Sequence, residues 1–212
     1  MSEEIFVSPR KRGRILVLLS GRGSNFMKIH DAILAGRIDA DIALVFSNKE
    51  EAPGLQIAKE RGLETLYLNP KLYAEKEEYD REIVREARKR SVDLICLAGY
   101  MKLLTPAFCV EFKNRIMNIH PALLPSFPGL HVQQKAIEWG VRFSGCTVHF
   151  VAVEVDMGPI VLQAAVPVLQ EDTEETLSAR ILVEEHKIYP KAVRLFFEGK
   201  IEVRGRRVFI RE

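Results

Sequence analysis

The sequence predicts an α/β protein with a Rossmann-like, mixed but mostly parallel sheet and helices on both of its faces. Short apolar runs alternate with amphipathic, helix-like stretches through the first half of the chain. These runs are continuously apolar, which is typical of parallel strands that are buried on both faces. Two longer runs in the second half alternate apolar and polar residues more, and they predict antiparallel strands.

The first half contains predicted strands separated by helices. The strands are residues 14–19, 41–47, 64–68, 92–99 and 115–119. The first helix has apolar residues at helical spacing, followed by Gly36 where a helix would end. Those apolar residues are Phe26, Ile29, Ile33 and Leu34. A short helix follows Pro53-Gly54, and a charged helix with one apolar stripe covers residues 77–91.

The second half contains a helix, two long strands, a long helix and a terminal hairpin. Their predicted ranges are 131–140, 144–156, 159–168, 173–199 and 201–210. Pro190 lies inside the long helix and predicts a kink or a break there. Because no repeat or linker interrupts the chain, we expect residues 14–212 to form a single domain, preceded by an N-terminal extension at residues 1–13.

Composition excludes several classes of protein. Of 212 residues, 47% are hydrophobic and 28% are charged, and the net charge is only +2, which is less basic than a general nucleic-acid surface. No apolar run is long enough for a membrane span, and the N-terminus lacks the apolar segment of a secretory signal. The cysteines are scattered, as in a reduced protein of the cytosol. We therefore expect a cytoplasmic protein with no nucleic-acid or membrane partner.

Three polar loops follow predicted parallel strands. They are SGRGSN at 20–25, AGYMKLL at 98–104 and NIHPALLP at 118–125. Because the ligands of open α/β sheets bind outside the carboxyl ends of the strands, we expect these loops to meet at one site.

The SGRGSN loop has two interpretations. Glycines and a serine at the start of a helix expose backbone N–H groups that bind phosphate with help from the helix dipole. In the alternative, Ser24 or Asn25 caps an ordinary strand–helix turn. The loop does not match the dinucleotide fingerprint, because Phe26 stands at the third glycine position, and no Gly-Lys-Ser/Thr follows to make a Walker A loop.

A second polar motif, NIHPALLPSFPG, ends the fifth predicted strand. Asn118 and His120 are two residues apart, so both side chains point to the same side of an extended strand. A histidine can act as an acid or a base near neutral pH, and an asparagine can donate a hydrogen bond to a developing oxyanion. The alternative is a structural histidine at a corner that the prolines stiffen.

Asp156 precedes a Gly-Pro turn at the end of the predicted strand 144–156. Either it bonds its own backbone as a turn residue, or it orients an imidazole and stabilises the protonated ring. The remaining histidines His131, His149 and His186 lack the spacing of metal ligands, so we expect them in the core or on the surface, and we expect no metal site.

Seven segments occur in a characteristic order. They are RILVLLSGRGSNF, VFSNK, DLICLAGYMKLLTPAF, NIHPALLPSFPGLH, GCTVHFV, VDMGPIVLQ and EEHKIYP. Together they resemble the phosphoribosylglycinamide formyltransferase family of folate-dependent enzymes. The resemblance implies the Rossmann-like formyltransferase fold and a catalytic domain over residues 14–212. It also implies transfer of a formyl group from the co-substrate N10-formyltetrahydrofolate to the amine of glycinamide ribonucleotide, a step of purine biosynthesis.

The resemblance assigns roles to individual residues. The catalytic residues would be Asn118, His120 and Asp156, and transfer would pass directly through a tetrahedral intermediate. The residues that bind glycinamide ribonucleotide would be Gly23, Ser24, Asn25 and Glu185. Those that bind the folate would be Lys76, Met101, Lys102, Leu103, Leu104, Asn118, Ala152, Val153, Glu154, Val155 and Asp156. No metal is implied, and the partners would be small molecules bound by a monomer or a homodimer.

Some positions depart from the family pattern, and other functions stay open. Lys76 stands where members often carry an arginine near the folate tail, and a lysine loses the bidentate fork. Leu182 replaces a polar substrate contact of some members, and Met157 replaces a small residue. The alternatives are formyltetrahydrofolate hydrolase, methionyl-tRNA formyltransferase and a non-enzymatic nucleotide sensor on the same fold. We favour the transferase, because we expect no regulatory domain before residue 14 and no RNA-binding domain after residue 200.

Overall fold

The computed structural model describes residues 12–211, so most of the predicted extension at residues 1–13 lies outside it. The strands are β1 Gly13–Leu19, β2 Ala40–Ser47, β3 Thr65–Tyr67, β4 Leu94–Leu97, β5 Ile116–His120, β6 Phe143–Phe150, β7 Ile160–Pro167, β8 Ile201–Arg204 and β9 Arg207–Ile210. The α-helices are α1 Ser24–Leu34, α2 Pro53–Glu60, α3 Lys76–Lys89, α4 Pro106–Glu111, α5 Val132–Glu138 and α6 Glu174–Phe197. None of these helices is long and apolar enough to cross a membrane.

The main sheet has the strand order β3-β2-β1-β4-β5-β6-β7, and β8 pairs with β9 in a separate hairpin. Strands β1 to β5 run parallel to one another, whereas β6 is antiparallel to both β5 and β7. The mixed, mostly parallel α/β sheet is therefore confirmed. The chain changes direction across the sheet between β1 and β4, which is where open α/β sheets form their binding crevice.

Strand β1 shows why helices cover both faces of the sheet. Its side chains alternate between the two faces, as in any strand. Ile15, Val17 and Leu19 pack in the cluster that contains α1 and α6, whereas Leu16 and Leu18 pack in the cluster that contains α3 and α4. All of these side chains are fully buried. An uninterrupted apolar run is therefore what a strand between two helix layers requires.

The long helix α6 passes through Pro190 without ending, so the prediction of a break there is wrong. A proline removes one backbone hydrogen bond from a helix, but the adjacent Tyr189 anchors this turn. Its buried hydroxyl lies 2.8 Å from the carbonyl oxygen of Met117 and 3.2 Å from that of Leu97. Tertiary contacts of α6, among them these hydrogen bonds to β4 and β5, therefore outweigh the local preference.

The predicted strand 144–156 is shorter in the structure, because β6 ends at Phe150. Residues 151–159 form an excursion whose two ends meet, since the Phe150 N–H donates to the Pro159 carbonyl at 2.9 Å. A Cβ atom on Gly158 would lie 1.7 Å from the Phe150 oxygen, so only glycine fits this closure. Asp156 accordingly lies in a loop, with φ 56°, and not at the end of a strand.

Two smaller features also depart from the sequence interpretation. Leu34, assigned to the apolar side of α1, is the last residue of that helix and is exposed. The short helix α4 has no counterpart among the predicted elements, although its start signals are present. The Thr105 Oγ1 accepts a hydrogen bond from the Phe108 N–H at 3.3 Å, and Pro106 is the first helical residue. A helix of this length is too short to show an amphipathic period.

Replacing Tyr189 by phenylalanine tests the anchor of α6. The change removes only the buried hydroxyl, so we expect the free energy of unfolding to fall by about 1–2 kcal/mol, as when a buried hydrogen bond is lost. Urea denaturation measures the change, with Tyr67→Phe at a half-buried tyrosine as the matched control. An unchanged unfolding free energy in Tyr189→Phe would contradict the anchor.

Candidate active site

The first polar loop joins β1 to α1 at the carboxyl end of the strand. Gly23 is the N-cap of α1 and has φ 71°, a left-handed value that glycine adopts without strain. Within the described residues no side chain caps this helix, so the alternative in which Ser24 or Asn25 caps it is wrong. The N–H groups of the first helical turn are therefore available to an anion.

This loop is held from the side by the first turn of α2. The Gly54 N–H donates to the Gly21 carbonyl at 3.0 Å. A Cβ atom at Gly54 would lie 2.8 Å from a methyl carbon of Leu19 and 3.0 Å from the Gly21 oxygen. This close approach requires glycine at a helical position where alanine is otherwise preferred. A cleft of about 490 Å³ opens beside the contact, and its lining residues are Ser20, Lys49, Glu50, Glu51, Ala52 and Pro53.

Asn25 and Glu185 form a buried pair next to the loop. The Asn25 Nδ2 donates to Glu185 Oε2 at 2.6 Å, although the two residues are 160 positions apart in the chain. Burial raises the pKa of Glu185, and the hydrogen bond from Asn25 opposes that shift. Among the described residues, Asn25 Oδ1 is buried without a hydrogen-bond partner. The structure thus brings together two residues that the family resemblance assigns to the same substrate.

The residues assigned to catalysis lie in one cluster. His120 Nδ1 is 3.5 Å from Asp156 Oδ2. His149, on the neighbouring strand β6, completes the group, because its Nε2 is 3.6 Å from Asp156 Oδ1 and 3.2 Å from Asn118 Nδ2. Both imidazoles are almost fully buried. These contacts therefore form where water is largely excluded and where hydrogen bonds and charges interact strongly.

Backbone carbonyls determine which ring nitrogens carry protons. His120 Nε2 lies 2.9 Å from the Phe127 oxygen, which can only accept, so this nitrogen is the donor and Nδ1 is left for chemistry. His149 Nδ1 lies 3.0 Å from the Phe150 oxygen and is likewise the donor. His149 Nε2 is therefore the acceptor for the Asn118 amide. This contact orients the amide and uses only one of its two N–H bonds.

The proline-rich segment 121–129 is fixed by side chains from β6 and β7. Thr147 Oγ1 donates to the Ala122 carbonyl at 2.7 Å and accepts from the Leu124 N–H at 3.1 Å. Gln163 Nε2 donates to the Leu124 carbonyl at 2.9 Å. The segment is therefore held by hydrogen bonds as well as by its prolines.

The far end of this segment contacts His120 and Asp156 directly. Phe127, whose carbonyl accepts from His120, has φ 51°, a left-handed value that bulky residues rarely adopt. Two residues later, the Gly129 N–H donates to Asp156 Oδ2 at 2.9 Å. Strained backbone of this kind concentrates at functional sites. The structural interpretation of the motif is therefore met, because this corner supports His120 and Asp156. The catalytic interpretation stays a prediction.

The segments assigned to the folate pocket expose apolar side chains. Met101 and Leu103 follow β4, and Val153 and Val155 lie three residues and one residue before Asp156 in the chain. All four of these apolar residues are exposed. Exposed apolar side chains beside a few well-placed polar groups are the usual lining of a small-molecule site.

Lys76 is the exposed first residue of α3. Four residues later, the buried Asp80 accepts a hydrogen bond from the Thr105 N–H at 2.7 Å. Residues four apart share one face of a helix, so Lys76 lies on the face of α3 that meets the end of segment 101–104. Lys102 also approaches this helix, with its Nζ 5.6 Å from the centre of the Tyr79 ring.

His149 is the residue of the site that the sequence interpretation missed. Its burial agrees with the expected core position, but its ring also contacts Asn118 and Asp156. The reason lies in strand pairing, because Asn118 is directly opposite His149 in the register of β5 and β6, and register is not visible in one sequence. Among residues 12–211, no three His, Cys, Asp or Glu side chains are grouped to hold a metal ion.

Known proteins show the same combination of fold and sequence. The family model described as formyl transferase matches residues 13–193. A phosphoribosylglycinamide formyltransferase of Escherichia coli (strain K12) is 42% identical over 189 residues, which are 89% of this chain and 89% of that protein. The trifunctional purine biosynthetic protein adenosine-3 of Drosophila melanogaster is 47% identical, and the match covers 90% of this chain but only 14% of that longer protein. The crystal structure of glycinamide ribonucleotide transformylase 1 from Symbiobacterium toebii has a TM-score of 0.93, with 49% identity over 95% of both chains.

A family match over most of the chain and a solved structure of the same fold define the class. The chain belongs to the formyl transferase family. Within that family it is similar to phosphoribosylglycinamide formyltransferases, and the Escherichia coli enzyme matches it along most of the length of both chains. The formyltransferase fold expected from the sequence is therefore confirmed.

The neutral state of His149 predicts a pH-dependent stability. Burial lowers the pKa of His149 from 6.5, and its hydrogen bond to Phe150 opposes this only in part. Below about pH 6.5 the unfolded chain then binds more protons than the folded chain, so the stability contributed by neutral His149 is lost as the pH falls toward the folded-state pKa. We expect the difference in unfolding free energy between wild type and His149→Gln to shrink from about pH 7 to about pH 5.

Urea denaturation at both pH values measures this difference, and His131→Gln, at an exposed histidine, is the matched control. Each unit by which the pKa is lowered corresponds to about 1.4 kcal/mol. A difference that stays constant or grows on acidification would contradict a neutral, buried His149.

Proposed function

We propose that this protein transfers the formyl group of N10-formyltetrahydrofolate to the amine of glycinamide ribonucleotide, giving formylglycinamide ribonucleotide and tetrahydrofolate in purine biosynthesis. The observation that carries the proposal is the cluster of Asn118, His120 and Asp156. His120 Nδ1 lies 3.5 Å from Asp156 Oδ2, and His149 links Asn118 to Asp156 with contacts of 3.2 and 3.6 Å. The similarity to the Escherichia coli phosphoribosylglycinamide formyltransferase over 89% of both chains supports this choice of substrates.

The proposed mechanism uses the proton positions that the hydrogen bonds of the histidine rings to backbone carbonyls indicate. The amine of the ribonucleotide attacks the formyl carbon, and the formyl oxygen becomes negatively charged in a tetrahedral intermediate. The second N–H of Asn118 and the protonated ring of His120 stabilise this oxygen, and one such donor is worth roughly 3–4 kcal/mol of barrier. His120 uses Nδ1, because its Nε2 is bonded to the Phe127 carbonyl.

Asp156 completes the proposed step. Its carboxylate lies beside His120 Nδ1, where it stabilises the protonated ring and helps to move the proton of the attacking amine to the N10 nitrogen of the folate. The bond between the formyl carbon and N10 then breaks, and no covalent bond to the enzyme forms. General acid–base help of this kind is worth about 10²–10⁴ in rate. Much of the remaining acceleration comes from holding the two substrates in one orientation.

The same proposal includes the residues that bind the two substrates. The phosphate of glycinamide ribonucleotide binds the first-turn N–H groups of α1, as helix N-termini bind anions, and Glu185 contacts the same substrate. The pterin ring covers the apolar side chains of residues 101–104 and 152–156. Lys76 meets the negatively charged tail of the folate as a point charge, without the two parallel hydrogen bonds of an arginine.

The proposal extends to the location, the oligomeric state and the partners of the protein. We expect the protein in the cytoplasm, as a monomer or a homodimer that acts on small molecules, without a metal and without nucleic-acid or membrane partners. Cell fractionation tests the location, and sedimentation of the purified protein tests the oligomeric state.

Asn118→Ala and His120→Ala test the catalytic assignment. Each variant lacks one donor to the tetrahedral oxygen, so we expect kcat to fall roughly 10²–10³-fold while both KM values change only a few-fold. Steady-state kinetics measures this split, and Gln134→Ala, at an exposed residue of α5, is the control. A near-normal kcat in either variant would refute the role of that side chain.

The assay that separates the candidate functions follows deformylation of the folate by absorbance. We expect turnover that requires glycinamide ribonucleotide. Deformylation without the ribonucleotide would instead indicate formyltetrahydrofolate hydrolase. No turnover in either condition would favour the nucleotide sensor or methionyl-tRNA formyltransferase.

A further inference from the structure

The segment 101–104 is held at both ends by buried polar side chains. The Met101 side chain is 66% exposed, so its packing does not fix the segment. At one end, Ser20 Oγ accepts from the Met101 N–H at 2.8 Å, and at the other, Asp80 Oδ2 accepts from the Thr105 N–H at 2.7 Å. Ser20 is 4% exposed and Asp80 is 3% exposed. The backbone of the segment is therefore positioned by these two buried acceptors.

Ser20 connects the segment to the loop that begins α1. Its hydroxyl donates to Asn48 Oδ1 at 2.6 Å while it accepts from the Met101 N–H, and its own N–H donates to the Gly99 carbonyl at 3.0 Å. A serine hydroxyl has a single proton, so these contacts fix its orientation. The carboxyl ends of the adjacent strands β2, β1 and β4 are thereby linked through one oxygen atom.

Asp80 fixes the other end from α3. The Thr105 residue that it holds is also the N-cap of α4. Burial raises the pKa of Asp80, and the hydrogen bonds from Thr105 oppose this shift. A buried carboxyl group is costly unless it is hydrogen-bonded. We infer from its presence that the backbone of Thr105 has to be held in this position.

We propose that Ser20 and Asp80 are positioning residues for the folate co-substrate, because they hold residues 101–104 as a preformed surface for the pterin ring. This inference rests on the proposed function. Neither side chain has to touch the folate. Ser20 affects folate binding only through the Met101 backbone, although Ser20 itself lies in the loop assigned to glycinamide ribonucleotide. A preformed segment binds more tightly because less conformational freedom is lost on binding.

Ser20→Ala removes the hydrogen bonds of the hydroxyl with little change in volume. We expect the KM for the formyl folate to rise about 3–10-fold, the effect of one hydrogen bond, while kcat and the KM for glycinamide ribonucleotide stay within about twofold of wild type. Ser144→Ala is the matched control, because the buried Ser144 hydroxyl has no partner among the described residues. Asp80→Ala should raise the same KM, and Asp80→Asn, which keeps an acceptor oxygen, should restore it.

Two measurements that need no turnover separate this inference from the proposed function. In Ser20→Ala, but not in Ser144→Ala, amide hydrogen exchange at Met101 should be about 3–10-fold faster, and the Kd for tetrahydrofolate, measured by calorimetry, should rise by a similar factor. If these changes occur while the wild type shows no ribonucleotide-dependent turnover, the inference is supported and only the proposed function fails. An unchanged Met101 exchange rate, or a tetrahydrofolate Kd within about twofold of wild type, would overturn the inference.

Discussion

The pairing of β5 with β6 is the constraint on which the rest of the site depends. In this antiparallel register Asn118 is opposite His149, and His120 is opposite Thr147. A shift by one residue would turn these side chains to the other face of the sheet. The asparagine would then lose the histidine that orients its amide, and the proline-rich segment would lose the threonine that fixes it. The geometry of the candidate site is therefore set by the backbone hydrogen bonds of one buried pair of strands.

The other parts of the site reach this edge of the sheet from distant parts of the chain, and each is secured by a polar contact. Glu185 arrives on α6 and is bound by Asn25 in a buried pair, whereas Asp156 arrives on the excursion after β6 and is bound by the Gly129 N–H in an exposed contact. Leaving the buried Glu185 or Asn25 without its partner costs about 1–3 kcal/mol. The polar contacts therefore specify one arrangement of loops that the apolar core alone would not distinguish.

The sheet could be predicted from the sequence because its strands are read locally. A run buried on both faces is largely apolar, and this identifies most of β1, β2 and β4, and the apolar start of β5, without knowledge of their neighbours. The features that could not be predicted depend on distant contacts. Tyr189 holds α6 together across Pro190 through carbonyl groups of β4 and β5, and Gly158 brings the chain back beside Phe150 so that Asp156 leaves the strand.

The residues of the polar site also fall into two groups: those with a local sequence signal and those that depend on distant contacts. The spacing of Asn118 and His120 is local, and the resemblance to a family assigned them their role. His149 and Ser20 have no such local signal, because the first depends on strand register and the second on a hydroxyl that bridges three strand ends. Strand pairing and hydrogen bonds between loops are properties of the folded chain, and residue periodicity does not contain them.

Single-turnover transfer of a radiolabelled formyl group tests the central claim most directly. Protein in excess over the labelled N10-formyltetrahydrofolate is mixed with glycinamide ribonucleotide, and the label is followed in the ribonucleotide, in formate and on the protein. We predict that the label moves to the ribonucleotide as fast as the folate is deformylated, with none bound to the protein. Label that remains on the protein, or that leaves as formate, would contradict direct transfer by the Asn118, His120 and Asp156 cluster.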